Sequence, residues 1–426
     1  MQVGIEALNL YGGCAYVDVM ELGAYRQVDT TRFDNLLMKQ KSVALPYEDP
    51  VSFAINAAMP IVSSLSDEDR NRIELLITCS ESGIDFGKSM STYVHHYLGL
   101  NRSCRLFELK QACYSGTAGL QMAAGFIASQ TSPGAKALVI ATDLSRFLVT
   151  EGGDALTMDW SFFEPSGGAG AMALLVSDTP DVFDLDLGAN GYYAYEVMDT
   201  CRPIPDSEAG NSDLSLLSYL DCCDGSFVEY RKRVPEAHYR DSFGYLCFHT
   251  PFGGMVKGAH RNMMRKHTQV PRAAIEADFD ARVQAGLTYC QRVGNIMGGT
   301  VLLSLAGAID TGRFDAPQRI GCFSYGSGCC SEFYSGLASA EGQRKVRSMR
   351  IGEHLDRRYR LSMPEYETLL AGSDVVRFGT RNARPDVDLL PGVWHGLRET
   401  VAETGAKRIV LAEIREFHRR YAWLDA

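Results

Sequence analysis

Two helical runs, Ala118–Ala128 and Val301–Ile309, carry small or apolar residues at nearly every position. A helix at a protein surface keeps a polar face, so one that is apolar almost all round has to be covered on every side. Strand-like segments lie next to both: Leu106–Leu109 before the first, Ala137–Ala141 after it, and Arg319–Phe323 after the second. Helices covered on all sides within strand-rich surroundings predict an α/β architecture in which central helices lie between sheets. The same pattern occurring twice predicts two similar halves. A chain of 426 residues is also too long for one simple core, so residues 1–180 and 181–426 are read as the two halves.

Other elements follow from local pattern. Met90, Tyr93, Val94, Tyr97 and Leu98 fall at helical spacing on one face, and Gly99 is placed to stop that helix. Gly167-Gly168-Ala169-Gly170 resembles a phosphate loop, but no Lys-Ser/Thr follows it. Close backbone packing is the better reading. From Gln343 onward the chain becomes charged, and it is read as a solvated extension packed on the second half.

The charge balance is 42 basic against 52 acidic residues, a net charge of −10, which disfavours nucleic acid as a partner. No apolar run reaches the roughly 18 residues of a membrane span. The N-terminus lacks the pattern of a signal peptide and the C-terminus lacks a prenylation site, so a soluble cytoplasmic protein is expected. There are 12 cysteines but no C-x-x-C pair, so neither a metal site nor a disulfide framework is expected.

Most of these thiols read as core filler, with Cys113 the exception. It stands between a strand and a buried helix, where the helix dipole lowers a thiol pKa and enriches the nucleophilic thiolate. Glu81 follows the strand Leu75–Ile77. It reads either as a helix-capping carboxylate or as an acid/base. His249 closes an apolar strand ahead of Pro251 and Gly253-Gly254. Taken alone, it is as readily a satisfied core histidine as a functional one. His95-His96 point apart on a helix and make no metal pair.

Five motifs in order then carry a resemblance: Ser80–Asp85, Lys110–Tyr114, Phe248–Phe252, Val293–Ile296 and Phe323–Gly328. With Gly167–Ala171 and Asp199–Pro203, the chain resembles hydroxymethylglutaryl-CoA synthases from about residue 5 to the C-terminal region. The resemblance implies the thiolase fold, a five-layer αβαβα sandwich of two similar halves, as a homodimer. It implies Cys113 as the acylated nucleophile, Glu81 as general acid/base and His249 as a hydrogen-bond donor on the acceptor side. Asn295 and Ser327 would line the acyl pocket. The first half carries Glu81 and Cys113, and the second carries His249 and Asn295. No bound cofactor is implied, because the acyl groups arrive on the phosphopantetheine of acyl carrier protein or CoA. Phe147 stands where many bacterial members have Tyr, which removes a hydroxyl near the acceptor pocket.

Leu36–Lys39, Val43–Pro50, Gln111–Gly119 and Gly326–Tyr334 are closest to the synthase-like enzymes of polyketide β-branching. Those enzymes take acetyl from a donor carrier protein and a β-ketoacyl chain from an acceptor carrier protein. Carrier proteins are acidic, and Lys257, Arg261 and Arg265 in the run 257–267 offer a basic face to meet one. The same face suits CoA phosphates or plain solvent. Three other readings remain: a synthase of isoprenoid metabolism using acetyl-CoA and acetoacetyl-CoA, a ketoacyl synthase, and a non-catalytic scaffold. A decarboxylating ketoacyl synthase needs no carboxylate at Glu81, and a scaffold needs none of the three catalytic groups.

Overall fold

The computed structural model describes residues 1–145, 160–203, 209–372 and 375–424. Phe147 and residues 151–159 of the Gly-rich stretch lie outside the described residues. The first half contributes strands β1 (Gly4–Tyr11), β2 (Ile73–Cys79), β3 (Arg105–Leu109), β4 (Lys136–Leu144) and β5 (Ala169–Ser177). The second contributes β6 (Phe183–Ala194), β7 (Tyr245–Phe248), β8 (Gln318–Gly326) and β9 (Cys330–Ala338). Their hydrogen-bonded order is β7-β8-β9-β6-β1-β5-β4-β2-β3.

That order contains one motif twice. β1 runs antiparallel to β5, β5 antiparallel to β4, and β4 parallel to β2. In the second half β6, β9, β8 and β7 repeat the same sequence of orientations. Within the sheet the halves pair at Gly4↔Asp184 and Ile5↔Phe183. A side chain at Gly4 would meet the Phe183 carbonyl at 2.1 Å, so the close approach there requires glycine.

The helices that frame the sheet and the site are α1 (Pro50–Ser64), α2 (Ser91–Leu98), α3 (Ser115–Ala128), α4 (Ser212–Arg233), α5 (Gly253–His267), α6 (Arg272–Arg282), α7 (Gln284–Val293) and α8 (Thr300–Thr311). The expected central helices are α3 and α8. Leu120, Ala123, Val301 and Leu305 share one core with strand residues from both halves. Helix α1 covers the outer face of β1, β4 and β5, while α4 covers that of β6 and β9. The result is the five-layer αβαβα sandwich. All nine residues of β4 and of β5 are buried, as expected for strands covered on both faces. The N-termini of α3 and α8 touch at glycines: a Cβ on Gly116 would lie 2.1 Å from the Gly298 carbonyl oxygen. The Gly-rich stretch behaves as read, since a Cβ on Gly168 would strike the Val293 carbonyl oxygen at 2.2 Å.

The charged C-terminal extension packs on the second half at its start, where Gln343 binds the Ile309, Asp310 and Gly312 carbonyls at 2.8, 3.1 and 2.9 Å, but its later part does not. Its strands Arg408–Arg415 and His418–Leu424 lie on the first half. There Asn56 of α1 exchanges two hydrogen bonds with the Ile409 backbone, at 2.9 and 3.0 Å. Asp49, the N-cap of α1, binds Arg419 at 2.8 Å and the Tyr421 hydroxyl at 2.7 Å. Ile409, Leu411, Ile414 and Tyr421 enter the same core as Val51 and Ile55. The charges that dominate the segment's composition sit between these inward residues and hide them from a reading by charge. Among the described residues, no helix is long and apolar enough to cross a membrane.

Candidate active site

The duplicated fold brings corresponding chain ends together. Glu81 lies two residues past β2 and His249 directly past β7, the matching strand of the second half. Ala112, three residues before the start of α3, has φ +44, and Met297, three residues before α8, has φ +49. Both are left-handed backbone that non-glycine residues adopt at a cost, so each half turns sharply into its central helix. Cys113 stands on the first of these turns, held by Tyr114 N–H to the Gln111 carbonyl at 3.1 Å and Ser115 N–H to Ala112 at 3.2 Å. Asn295 stands at the second. Its Oδ1 accepts from Met297 N–H at 3.0 Å and from Thr300 Oγ1 at 2.8 Å.

Glu81, Cys113, His249, Asn295 and Ser327 all line one cavity of about 1000 Å³ between the halves. The Cys113 thiol donates to Glu81 Oε1 at 3.4 Å. The other carboxylate oxygen lies 3.4 Å from Arg202 Nε. Beneath them Asp143, fully buried at the end of β4, accepts from Glu81 N–H, Ser82 N–H and the Ser82 hydroxyl, each at 2.9 Å. Burial pushes the Asp143 carboxyl up to about 7, the Glu81 charge adds to the rise, and Arg202 opposes it. His249 is 2% exposed, and burial pushes its imidazole down to about 3, so the ring is neutral at ordinary pH. Its Nδ1 has no hydrogen-bond partner among the described residues. Asp199 fixes the loop of Ser327, accepting from Gly328 N–H at 2.8 Å and from the Tyr325 hydroxyl at 2.5 Å.

A thiol touching a carboxylate, with a neutral imidazole in the same cavity, suits thioester exchange followed by removal of a carbon-bound proton. Among the described residues no cluster of His, Cys, Asp and Glu is arranged to hold a metal ion. The models for the N-terminal and C-terminal regions of hydroxymethylglutaryl-coenzyme A synthase match residues 1–181 and 265–395.

The chain belongs to the hydroxymethylglutaryl-CoA synthase family.

Within that family, it is 66% identical to the polyketide biosynthesis 3-hydroxy-3-methylglutaryl-ACP synthase PksG of Bacillus subtilis, over 100% of both chains. It is 31% identical to the hydroxymethylglutaryl-CoA synthase of Enterococcus faecalis, over 87% of this chain and 92% of that one. The crystal structure of the curacin pathway HMG synthase in complex with acetyl donor-ACP matches with a TM-score of 0.94 and 63% identity, over 99% of this chain and 100% of that one. The thiolase-like fold of these synthases agrees with the layers described above.

Within this synthase fold the basic run is less free than the sequence suggested. Lys257 and Arg261 both bind Glu276 of α6, at 3.2 Å and through a guanidinium fork at 2.6 and 2.9 Å. Lys266 and His267 pair with Asp224 of α4, at 2.7 and 2.8 Å. Arg265 is exposed on the same helix. Sequence reasoning assigned no role to Asp143, Asp199 or Arg202. A signal for Asp143 was available: it is the one charged residue in the run Ala137–Leu144, all of it apolar but for Thr142.

Proposed function

We propose that this chain is a hydroxymethylglutaryl synthase of polyketide β-branching. It adds an acetyl-derived carbanion to the β-ketone of a polyketide intermediate, with both acyl groups carried on acyl carrier proteins. The observation that carries the reading is the full-length 66% identity to a synthase acting on carrier-protein substrates, twice that to a CoA-dependent one.

In this reading Cys113 attacks the donor thioester, forms acetyl-Cys113 and releases the carrier thiol. Glu81 then takes a proton from the acetyl methyl group, and the enolate oxygen is met by the Cys113 and Ser327 amides. The carbanion adds to the ketone of the second substrate, which Asn295 and the neutral His249 orient, and a proton reaches the new alkoxide. Water releases the product from Cys113.

The test is intact-protein mass spectrometry with acetyl carrier protein and acetyl-CoA offered separately. Cys113 should gain one acetyl group faster from the carrier protein, and Cys113→Ser should gain none. Equal rates, or a faster reaction with acetyl-CoA, would favour the isoprenoid enzyme.

A further inference from the structure

Glu81 is gripped from two sides. Its Oε1 accepts the Cys113 thiol, and its Oε2 lies 3.4 Å from Arg202 Nε, while Arg202 Nη1 reaches the Glu81 carbonyl oxygen at 3.5 Å. One guanidinium thus touches both the side chain and the backbone of the same residue. The arginine and glutamate side chains are only 15% and 16% exposed, so water screens the pair weakly. A second carboxylate, Asp143, sits directly below, bound to the Glu81 amide. Among the described residues, Arg202 is the cation that acts on both of these acidic groups.

We propose that Arg202 is the positioning residue that holds Glu81 aimed at the acyl group on Cys113. This rests on the assignment of Glu81 as the base. Once Cys113 is acetylated it has no S–H to donate, so the contact that oriented Oε1 is gone. Arg202 remains to hold the carboxylate. The methyl proton then passes to Glu81 and the C–H electron pair becomes the enolate, while Arg202 neither gains nor loses a proton.

Among the described residues, Glu81 contacts Cys113 from the turn before α3, Asp143 from β4 and Arg202 from the segment after β6. His249, Lys88 and Lys110 line the same cavity. Glu108 of β3 is turned away to Met90 N–H, and Asp85 to the N–H groups of Gly87 and Lys88. Arg202 is thus the cation that offsets Asp143. Its removal would take the guanidinium off both the side chain and the backbone of Glu81 and let the Asp143–Glu81 pair hold a proton to higher pH, which weakens the pair's carboxylate as a base.

The experiment follows condensation of acetyl- and β-ketoacyl-pantetheine across pH in the full-length protein, with thermal melts to check folding. Arg202→Gln should move the acid limb of kcat/KM up by about one unit or more. Its rate should fall about tenfold below the limb and recover as pH rises. Arg202→Lys should return the limb to its wild-type position but keep a lower kcat, because an ammonium cannot span the carboxylate and the carbonyl as a guanidinium fork does. A loss that is equal at every pH, or a Lys variant shifted as far as Gln, overturns the proposal. Should the Gln variant melt early, the Lys variant decides alone: a wild-type kcat sinks the positioning role, and a lowered kcat with the limb in place supports it. Glu81→Gln separates the two assignments. If that variant keeps the wild-type limb, Glu81 is not the base. If it abolishes the limb while Arg202→Gln leaves it in place, only the role of Arg202 is wrong.

Discussion

In the proposed reaction Glu81 is required for one chemical step and not for the other, although it touches the thiol that both steps use. Thioester exchange at Cys113 passes an acyl group from one thiol to another and needs no carbon base, whereas the later step breaks a C–H bond and does. Glu81→Gln should therefore still form acetyl-Cys113, with condensation reduced by about 10²–10⁴-fold. Mass spectrometry of the acetyl-enzyme and a product assay on the same sample check this. Equal loss of both steps would mean that Glu81 shapes the pocket and performs no proton transfer. His249 should contribute no limb to the pH profile over about pH 5–8, because its buried imidazole, pushed down to about 3, is already neutral there.

Among the elements, helix α5 separates the carrier-protein reading from plain solvation. Its first turns line the cavity through Met255, and Arg265 lies ten residues on, about 15 Å along the axis. With Lys257 and Arg261 held by Glu276, Arg265 is the exposed cation of the expected trio. Arg265→Glu should slow acetylation by acetyl carrier protein, and the loss should shrink as salt rises, since rim charges act by steering and are screened over about 10 Å at 0.1 M. Acetylation by acetyl-pantetheine, which brings no protein surface, should be unchanged. A loss that is the same with both donors, or absent with both, removes α5 from the docking surface. Elements that impose a local pattern were legible in the sequence. The all-apolar runs marked α3 and α8, Gly99 marked the end of α2, and the strand ends marked Glu81, Cys113 and His249. What required the fold were partners distant in the chain: Glu276 against Arg261, Asp49 against Arg419, and Arg202 against Glu81. Those pairings depend on which helix or strand lies alongside, and no short window of residues carries that information.

At the scale of the whole molecule, the duplication is complete except at one edge. β3 extends the first half beyond β2 and has no counterpart past β7 among the described residues, so the sheet ends there in an open edge strand. Its residues Phe107 and Leu109 are only half buried, and Met122 on the central helix α3 beside it is 49% exposed. A helix otherwise enclosed between layers has little reason to show a methionine to water, and an unpaired strand edge invites another strand. A second copy meeting this face about a two-fold axis would satisfy both, with β3 beside β3 and Met122 covered. The protein should therefore sediment at twice the chain's mass at micromolar concentration. Met122→Glu should sediment at the single-chain mass with its melting cooperative, because a carboxylate buried at such a contact would lack a partner and pay the desolvation cost in the dimer alone. A wild-type protein that sediments as a single chain would refute the dimer. A Met122→Glu protein that stays paired would place the contact on another face and leave the open edge of β3 unexplained by self-association.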